Sequence, residues 1–173
     1  MRSARVPATV LLAGLLAIAF ALTACSASGT TVSSAELAKL QLDSDTRQIE
    51  RIEVMFHLAA STKNIPLMMS LYADDATVTF GGKTYTGKDQ VRSFFEKAGP
   101  FQLGNHWVSD TPAYKMKVTV DKDKGTLYFE CHYINADNKT VAVVVGADQK
   151  VARIDGRWLI TQLIAATPIL TPY

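Results

Sequence analysis

From residue 105 onward the chain alternates apolar and polar residues in short segments that are separated by turn-forming residues. Successive side chains on a β-strand point to opposite faces, so this alternation predicts strands with one buried face. Five strands are predicted, at residues 105–109, 113–120, 126–134, 140–154 and 157–165. The second half of the chain is therefore expected to form one sheet.

The second and third of these strands can be aligned across a turn between Asp121 and Thr126. Pairing Val120 with Leu127 predicts three further pairs on the same face: Val118–Phe129, Met116–Cys131 and Tyr114–Tyr133. The opposite face would carry two polar pairs: Lys117–Glu130 and Lys115–His132. One face is thus predicted to be core, and the polar face is left to solvent or to a homodimer contact.

Three helices are predicted before these strands. The apolar face of a long first helix is predicted from four residues at three- and four-residue intervals: Ile49, Ile52, Phe56 and Ala59. Glu53 falls on another face, and His57 follows it by four residues, so the two are expected to pair on the solvent side. A second short helix is predicted after Asn64-Ile65-Pro66, and a third over residues 87–97.

A small hairpin is predicted between the second and third helices. Residues 76–80 and 83–86 have the pattern of two strands around Gly81-Gly82. Asp74 and Asp75 precede the first strand, where short polar side chains can hydrogen-bond the backbone of a chain reversal. Helices followed by strands predict an α+β fold, with N-terminal helices packed on one face of a strongly curved antiparallel sheet.

The N-terminus has the layout of a signal peptide, with Arg2 and Arg5 ahead of an apolar run at residues 10–22. The following Leu22-Thr23-Ala24-Cys25 resembles the bacterial lipobox, which implies cleavage after residue 24 and lipid, including palmitate, on Cys25. The alternative is an ordinary signal peptide with an unmodified cysteine. The expected organisation is a signal peptide at 1–24, a lipidated cysteine and flexible tether at 25–35, and a domain at 36–173. Such a protein would be anchored at the cell membrane, on its extracytoplasmic face.

Charge and cysteine content exclude several classes of function. The 18 basic and 16 acidic residues become 16 and 16 once Arg2 and Arg5 are removed with the signal peptide, so no nucleic-acid partner is expected. Cys131 would then be the single remaining cysteine and is predicted to be a small buried hydrophobe. The three histidines lack metal-ligand spacing, so neither a metal nor a cofactor is expected.

Three short motifs, in order, resemble the SnoaL-like branch of the nuclear transport factor 2 superfamily. They are Leu71-Tyr72-Ala73-Asp74-Asp75-Ala76-Thr77-Val78, Thr86-Gly87-Lys88-Asp89-Gln90-Val91 and Ile154-Asp155-Gly156-Arg157-Trp158-Leu159-Ile160. The resemblance implies a cone-shaped α+β barrel whose open end holds a mostly apolar pocket. It does not by itself imply a function, because this superfamily contains isomerases, dehydratases, cyclases and non-catalytic members.

The catalytic positions of the superfamily's isomerases are mostly absent here. By the resemblance, Phe80 stands where the base would be, and Phe56 stands where the oxyanion tyrosine would be. Asp148 is offset by about two residues from the third carboxyl position in a hand alignment. An isomerase mechanism is therefore not expected.

By the resemblance, only part of the superfamily's dehydratase site is present in this sequence. His106 resembles the histidine of the superfamily's dehydratases, whereas Ser61 and Phe56 replace its aspartate and tyrosine partners. His106 is the best catalytic candidate, with Tyr72 or Tyr114 as a hydrogen-bond donor. A structural role for His106 is the alternative, because the sequence shows no carboxylate that would orient it.

The sequence therefore predicts a membrane-anchored module that binds a small hydrophobic ligand or a protein, without catalysis. A dehydratase-like lyase or isomerase that uses His106 is the alternative. The ligand is expected to be flat or branched, with one or two polar groups. Seven residues are expected to line the pocket: Phe56, Tyr72, Phe80, Phe95, His106, Trp107 and Tyr114.

Overall fold

The structure is a computed structural model that describes residues 32–166. The signal peptide predicted at residues 1–24 and the cysteine at position 25 lie outside the described residues. The helices are α1 (Ser34–Ser61), α2 (Ile65–Met69) and α3 (Lys88–Lys97), with a single 3₁₀ turn at Gly99–Phe101. The strands are β1 (Tyr72–Phe80), β2 (Lys83–Thr86), β3 (Trp107–Ser109), β4 (Lys115–Asp121), β5 (Lys124–Asn135), β6 (Val141–Ile154) and β7 (Arg157–Ala166). The α+β fold class is confirmed.

The seven strands form one curved, mixed sheet. Its order is β2-β1-β7-β6-β5, and β4 and β3 share the far edge of β5. β4 pairs along residues 124–130 of β5, whereas β3 pairs along residues 133–135. β1 and β7 are parallel, so the prediction of a wholly antiparallel sheet is wrong for this pair. Apolar alternation could not reveal this, because it reports the buried face of a strand and not the direction of its neighbour.

Helix α1 packs the predicted apolar stripe on the sheet. Its N-terminus is a capping box in which the hydroxyl of Ser33 accepts from Glu36 N and the Glu36 carboxylate accepts from Ser33 N. Residues 34 and 35, which the sequence pattern placed in the tether, are the first turn of α1. The side chains of the stripe are buried, as predicted: Ile49, Ile52, Phe56 and Ala59.

Glu53 and His57 pair, but they are not on the solvent side of α1. Neither side chain is exposed, so the predicted location is wrong. The reason is tertiary, because the segment before β4 covers this face and Ala113 N donates to Glu53 Oε1 at 2.7 Å. The His57 ring also packs edge-on against Phe129, with 4.9 Å between ring centroids.

A buried carboxylate ties α1 to the β6–β7 hairpin. Asp45 is 3% exposed, and its Oδ1 accepts from Trp158 Nε1 at 3.2 Å. Its Oδ2 lies 2.5 Å from a guanidinium nitrogen of Arg153, which also stacks over the Trp158 ring. Burial alone would raise the pKa of Asp45, but the hydrogen bond from Arg153 and those from Gln41 and Trp158 hold it below its usual value. This cluster joins the first half of α1 to the β6–β7 hairpin.

β4 and β5 pair in a register two residues away from the predicted one. Val118 lies opposite Leu127, and Asp121 lies opposite Lys124, so the turn holds only Lys122 and Asp123. Lys122 adopts a left-handed φ of 54°, as tight hairpin turns require. Because the shift is an even number, each side chain keeps its face. The inward residues of β5 are buried: Leu127, Phe129, Cys131 and Tyr133.

β1 is longer than predicted and contains the two adjacent aspartates. Asp74 and Asp75 are exposed and lie where the pairing of β1 with β7 is interrupted, between Tyr72 and Thr77. Asp74 Oδ1 accepts from Lys88 Nζ at 2.8 Å, which ties β1 to the first turn of α3. The pair therefore marks a β-bulge, and the prediction that it precedes the strand is wrong.

No helix within residues 32–166 is long and apolar enough to cross a membrane.

Candidate functional site

An apolar cavity of about 420 Å³ lies among the helices and the sheet. Its walls come from α1, the end of α3 and the 3₁₀ turn, from β2, β3 and the ends of β1, β5 and β7, and from the first half of β6. Eight aromatic residues line it: Phe56, Phe80, Tyr85, Phe94, Phe95, Phe101, Trp107 and Tyr133. The remaining lining residues are Lys97, Ala98, Gly99, Pro100, Val143, Val145, Ala147, Leu163 and Ala165. The volume is within the range of about 300–1,000 Å³ that is typical of small-molecule sites.

Edge-to-face and tilted ring contacts build the aromatic wall. Phe95 of α3 is central, since its ring centroid lies 6.0 Å from that of Phe56 and 5.0 Å from that of Phe94. Phe94 in turn contacts Phe80 and Tyr85, at 5.7 and 5.1 Å. Such pairs stabilise a wall beyond simple burial, by about 0.5–1.5 kcal/mol each. The wall is therefore largely preformed.

Lys63, at the end of α1, holds the rim of the cavity. Its Nζ donates to Pro100 O at 2.5 Å and to Trp107 O at 3.1 Å, so one ammonium joins the 3₁₀ turn to β3. Burial lowers the pKa of Lys63. At Gly99 a Cβ atom would come within 2.8 Å of the Trp107 ring, so this position requires glycine for the ring to pack against the rim.

Four of the seven residues expected to line the pocket lie on the cavity wall, namely Phe56, Phe80, Phe95 and Trp107. Tyr72 does not, because its ring packs behind Phe95 at a centroid distance of 5.6 Å and is 1% exposed. By the family resemblance, Phe56 and Phe80 stand at two positions that are expected to carry catalytic groups in the superfamily's isomerases. In this cavity both contribute only hydrocarbon surface.

His106 lies outside the cavity. It precedes β3, its side chain is 62% exposed, and its Nδ1 lies 2.8 Å from Asp137 Oδ2, whose side chain is also exposed. This orienting carboxylate could not be identified from the sequence, because Asp137 follows the end of β5 and is distant from His106 along the chain. The pair cannot reach a ligand within the aromatic wall, so the expectation that His106 lines the pocket is wrong.

Tyr114 also faces away from the cavity. It lies just before β4 and so does not follow the alternation of that strand. Its ring stacks on His132 at a centroid distance of 4.5 Å, and its hydroxyl donates to Glu130 Oε2 at 2.9 Å. His132 contacts Asp110, with 2.9 Å between Nδ1 and Oδ2, and not Lys115 as predicted.

Glu130 organises this outer face. Although it lies on the predicted polar face, it is 1% exposed, and Oε1 accepts from Lys115 Nζ at 2.7 Å and from Tyr128 OH. The hydrogen bonds from Lys115 and Tyr128 hold the pKa of Glu130 below its usual value. The bond to Glu130 also raises the pKa of Tyr128 to about 12. The network is fully paired and has no opening toward the cavity.

The other positions considered for catalysis do not line the cavity either. Asp148 is exposed on the outer face of β6, opposite Tyr128. Ser61 Oγ accepts from Ser109 N at 2.8 Å and thereby joins α1 to β3. The buried Glu53–His57 pair is screened by Phe56 and Phe129, whose rings both contact His57. None of these groups can exchange a proton with a molecule in the cavity.

Within residues 32–166, three ionisable side chains line the cavity, and none of the three is a carboxylate or an imidazole. They are Lys97, Tyr85 and Tyr133. Lys97 and Tyr133, together with Val143, Val145 and Ala147 of β6, were not identified from the sequence. The alternation of β5 placed Tyr133 on the core face, but it could not show which core-facing positions lie beside open space. Chemically the site offers an apolar surface, one ammonium and two hydroxyls.

Comparison with known proteins gives a family and a fold. Residues 44–164 match the model of the SnoaL-like domain. An NTF2-like protein with a cystatin-like fold from Novosphingobium aromaticivorans superposes with a TM-score of 0.69 at 16% identity, over 82% of this chain and 94% of that one. No protein of curated function matches the chain.

Two further solved structures carry names that refer to enzymes. A ketosteroid isomerase-like protein from Erwinia carotovora atroseptica has a TM-score of 0.56 at 16% identity, over 74% of this chain and 98% of that one. A candidate dehydratase of the NTF2-like family from Streptomyces avermitilis has a TM-score of 0.60 at 17% identity, over 75% and 99%. At these identities the likeness establishes the fold alone.

Proposed function

The chain belongs to the SnoaL-like domain family, and from that membership and the composition of its cavity we propose that it binds a small hydrophobic ligand without transforming it. The observation that carries the proposal is the lining itself, in which eight aromatic rings and seven aliphatic side chains of the described residues surround the space, with no carboxylate or imidazole among those residues. Proton transfer to carbon needs a base within hydrogen-bond reach of the ligand. This wall offers only two phenols and an ammonium.

The absence of acid–base groups from the lining argues against the dehydratase-like alternative. Nδ1 of His106 and Oδ2 of Asp137 lie 2.8 Å apart, a distance suitable for a catalytic His–Asp pair, but both side chains are exposed and outside the cavity. Glu53 and His57 are close enough to act together, but the Phe56 and Phe129 rings separate them from it. A general base must touch the proton it removes.

We further propose that the domain is held on the extracytoplasmic face of the cell membrane by lipid on Cys25. The support is the motif Leu22-Thr23-Ala24-Cys25 directly after the apolar run at residues 10–22. A domain tethered in this way would take up its ligand at the membrane surface. Lipid chains add about 0.8 kcal/mol of membrane affinity per buried methylene, so such an anchor holds stably.

We propose a homodimer contact on the outer face of β4 and β5. Lys115, Lys117 and Tyr128 lie there around the buried Glu130 carboxylate. Sedimentation velocity on the wild type and on Lys117→Glu tests this. A dimer that dissociates in the variant supports the contact, and a monomeric wild type contradicts it.

A filled-cavity variant tests the binding function. Ala147 is 1% exposed and lines the cavity, so Ala147→Leu should place three additional carbon atoms in the ligand space. Ala142→Leu is the matched control, because Ala142 lies on the same strand, is exposed and does not line the cavity. Affinity for dodecan-1-ol, measured by calorimetry, should fall about ten-fold in the first variant and stay unchanged in the second.

Two results would contradict the proposal. One is that wild-type protein binds neither dodecan-1-ol nor any small molecule that native mass spectrometry detects in the purified sample. The other is that a bound molecule is recovered chemically changed, which would establish catalysis.

A further inference from the structure

One lysine stands at the mouth of the apolar cavity. Lys97 is the last residue of α3, its side chain is exposed, and among the described residues it is the single charged one that lines the cavity. It makes no hydrogen bond or ion pair with any residue between 32 and 166. A cation in the last turn favours the helix dipole. That explains a lysine at this helix end, but it does not explain why the side chain borders the cavity.

A hydroxyl without a partner lies on the cavity wall. Tyr133 of β5 is 3% exposed and lines the cavity, and its hydroxyl makes no hydrogen bond with the described residues. This hydroxyl is not one of the fully buried polar atoms, so it is open to the space of the cavity and can donate to an oxygen or nitrogen atom on a ligand. Burial raises the pKa of Tyr133 well above its usual value, which keeps the hydroxyl a donor.

The volume limits the size of what can bind. At about 30 Å³ for each non-hydrogen atom, the volume of one water molecule, the cavity of about 420 Å³ holds about 14 such atoms. A medium-chain fatty acid or a two-ring aromatic acid has this size. Longer chains would have to extend past the mouth.

We infer that the ligand is an apolar carboxylic acid of about 14 non-hydrogen atoms, whose carboxylate pairs with Lys97 and whose body lies against the aromatic wall. Tyr133 donates a hydrogen bond to a second oxygen atom on the same molecule. The inference rests on the proposed binding function, and it adds the charge and the polar end of the ligand. No acidic side chain among the lining residues would repel the carboxylate.

Calorimetric titrations with dodecanoate and dodecan-1-ol on the full chain test the carboxylate. The two probes share a chain length and differ in charge, so their ratio of affinities isolates the contribution of Lys97. We expect dodecanoate to bind about five-fold more tightly, as a partly exposed ion pair worth about 1 kcal/mol would give. The preference should shrink as salt is added.

Lys97→Met retains an apolar stem and removes the charge. It should abolish the preference for dodecanoate, so that the ratio of the two affinities falls to about one. Lys39→Met is the matched control, because Lys39 is an exposed lysine of α1 that does not line the cavity, and it should retain the preference. Equal binding of the two probes by the wild type, or a preserved preference in Lys97→Met, would overturn the inference while the binding function stands. Failure of both probes to bind would overturn the binding function itself.

A second comparison tests the hydroxyl. Tyr133→Phe should weaken binding of 12-hydroxydodecanoate several-fold more than binding of dodecanoate. If the two acids lose affinity equally, Tyr133 contributes packing and not a hydrogen bond. That outcome would contradict the inference that Tyr133 donates a hydrogen bond to a second oxygen atom of the ligand.

Discussion

Nδ1 of His57 lies 2.7 Å from Oε1 of Glu53, one helical turn away, and neither side chain is exposed to solvent. The same oxygen accepts a hydrogen bond from Ala113 N at 2.7 Å, so a single carboxylate atom joins α1 to the chain before β4. The Nδ1 atom is close to the oxygen without being well aligned for a hydrogen bond, and Nε2 of His57 has no partner among the described residues. The pair is a structural contact between helix and sheet.

Removing the Glu53 carboxylate should destabilise the fold strongly. Glu53→Ala leaves a buried histidine and a buried backbone donor unpaired, so the free energy of unfolding should fall by about 3 kcal/mol. Urea denaturation followed by circular dichroism measures it. Glu50→Ala is the matched control on the same helix, and we expect its effect to be within about 0.5 kcal/mol. Equal losses in the two variants would mean that the buried pair does not stabilise the protein.

The Asp45 cluster should stabilise the junction of α1 with the β6–β7 hairpin. Asp45→Asn removes the charge that Arg153 and Trp158 bind, so we expect a loss of about 1.5–3 kcal/mol, as for hydrogen bonds to charged groups. Asp43→Asn changes an exposed aspartate two residues away and should leave stability unchanged. Thermal unfolding of the three proteins provides the comparison, and coincident melting curves would contradict the assigned role.

Stability should depend on pH through Glu130. Its pKa is lowered on folding, first by the hydrogen bond from Lys115 and then by that from Tyr128. A carboxyl group whose folded pKa is depressed contributes stability above its unfolded pKa of about 4.3, and that contribution is lost as the pH falls through the folded pKa. Wild-type protein should therefore lose stability below about pH 4, relative to pH 7.

Glu130→Gln should be less stable than the wild type at pH 7, and the difference should narrow on acidification to about pH 3. Urea titrations at both pH values measure it. Glu96→Gln, at an exposed position of α3, serves as the reference for surface carboxylates. A gap between wild type and Glu130→Gln that stays constant with pH would show that the carboxylate does not contribute through its ionised form.

Lipid attachment should depend on Cys25 alone. In cells fed labelled palmitate, Cys25→Ala should abolish incorporation of the label. Cys131→Ala should retain it, because Cys131 is fully buried on the inward face of β5 and burial raises its pKa to about 12. Labelling that persists in Cys25→Ala would contradict the anchoring proposal and would leave the ligand-binding proposal unaffected.

The strands and their buried faces were predictable because burial on a sheet follows a period of two. Leu127, Phe129 and Cys131 are buried as alternation requires, although their partners on β4 are displaced by two residues. Register depends on the turn, and the sequence alone did not show that Lys122 would adopt a left-handed conformation. The environment of Glu53 was mispredicted for a similar reason, because a distant segment covers it.

The cavity was predictable only where a motif fixed the position of a residue. The family resemblance placed Phe56 and Phe80, and helical spacing placed Phe95. His106 and Tyr114 were misplaced because each lies immediately before a strand, where alternation no longer applies. Lys97 was missed because its position at the mouth depends on where α3 ends relative to β1 and β6, which is a tertiary relationship.

The parallel pairing of β1 with β7 sets the order in which the protein can be completed during synthesis. β1 and β2 emerge from the ribosome early, whereas the strand that joins them to the rest of the sheet is made last. Until Arg157 and the residues after it are translated, one edge of β1 and one edge of β6 have no neighbour. Unpaired edges recruit other chains. A nascent chain of this protein is therefore most vulnerable to aggregation just before its final strand appears, and shielding those two edges is the task of any chaperone that assists it.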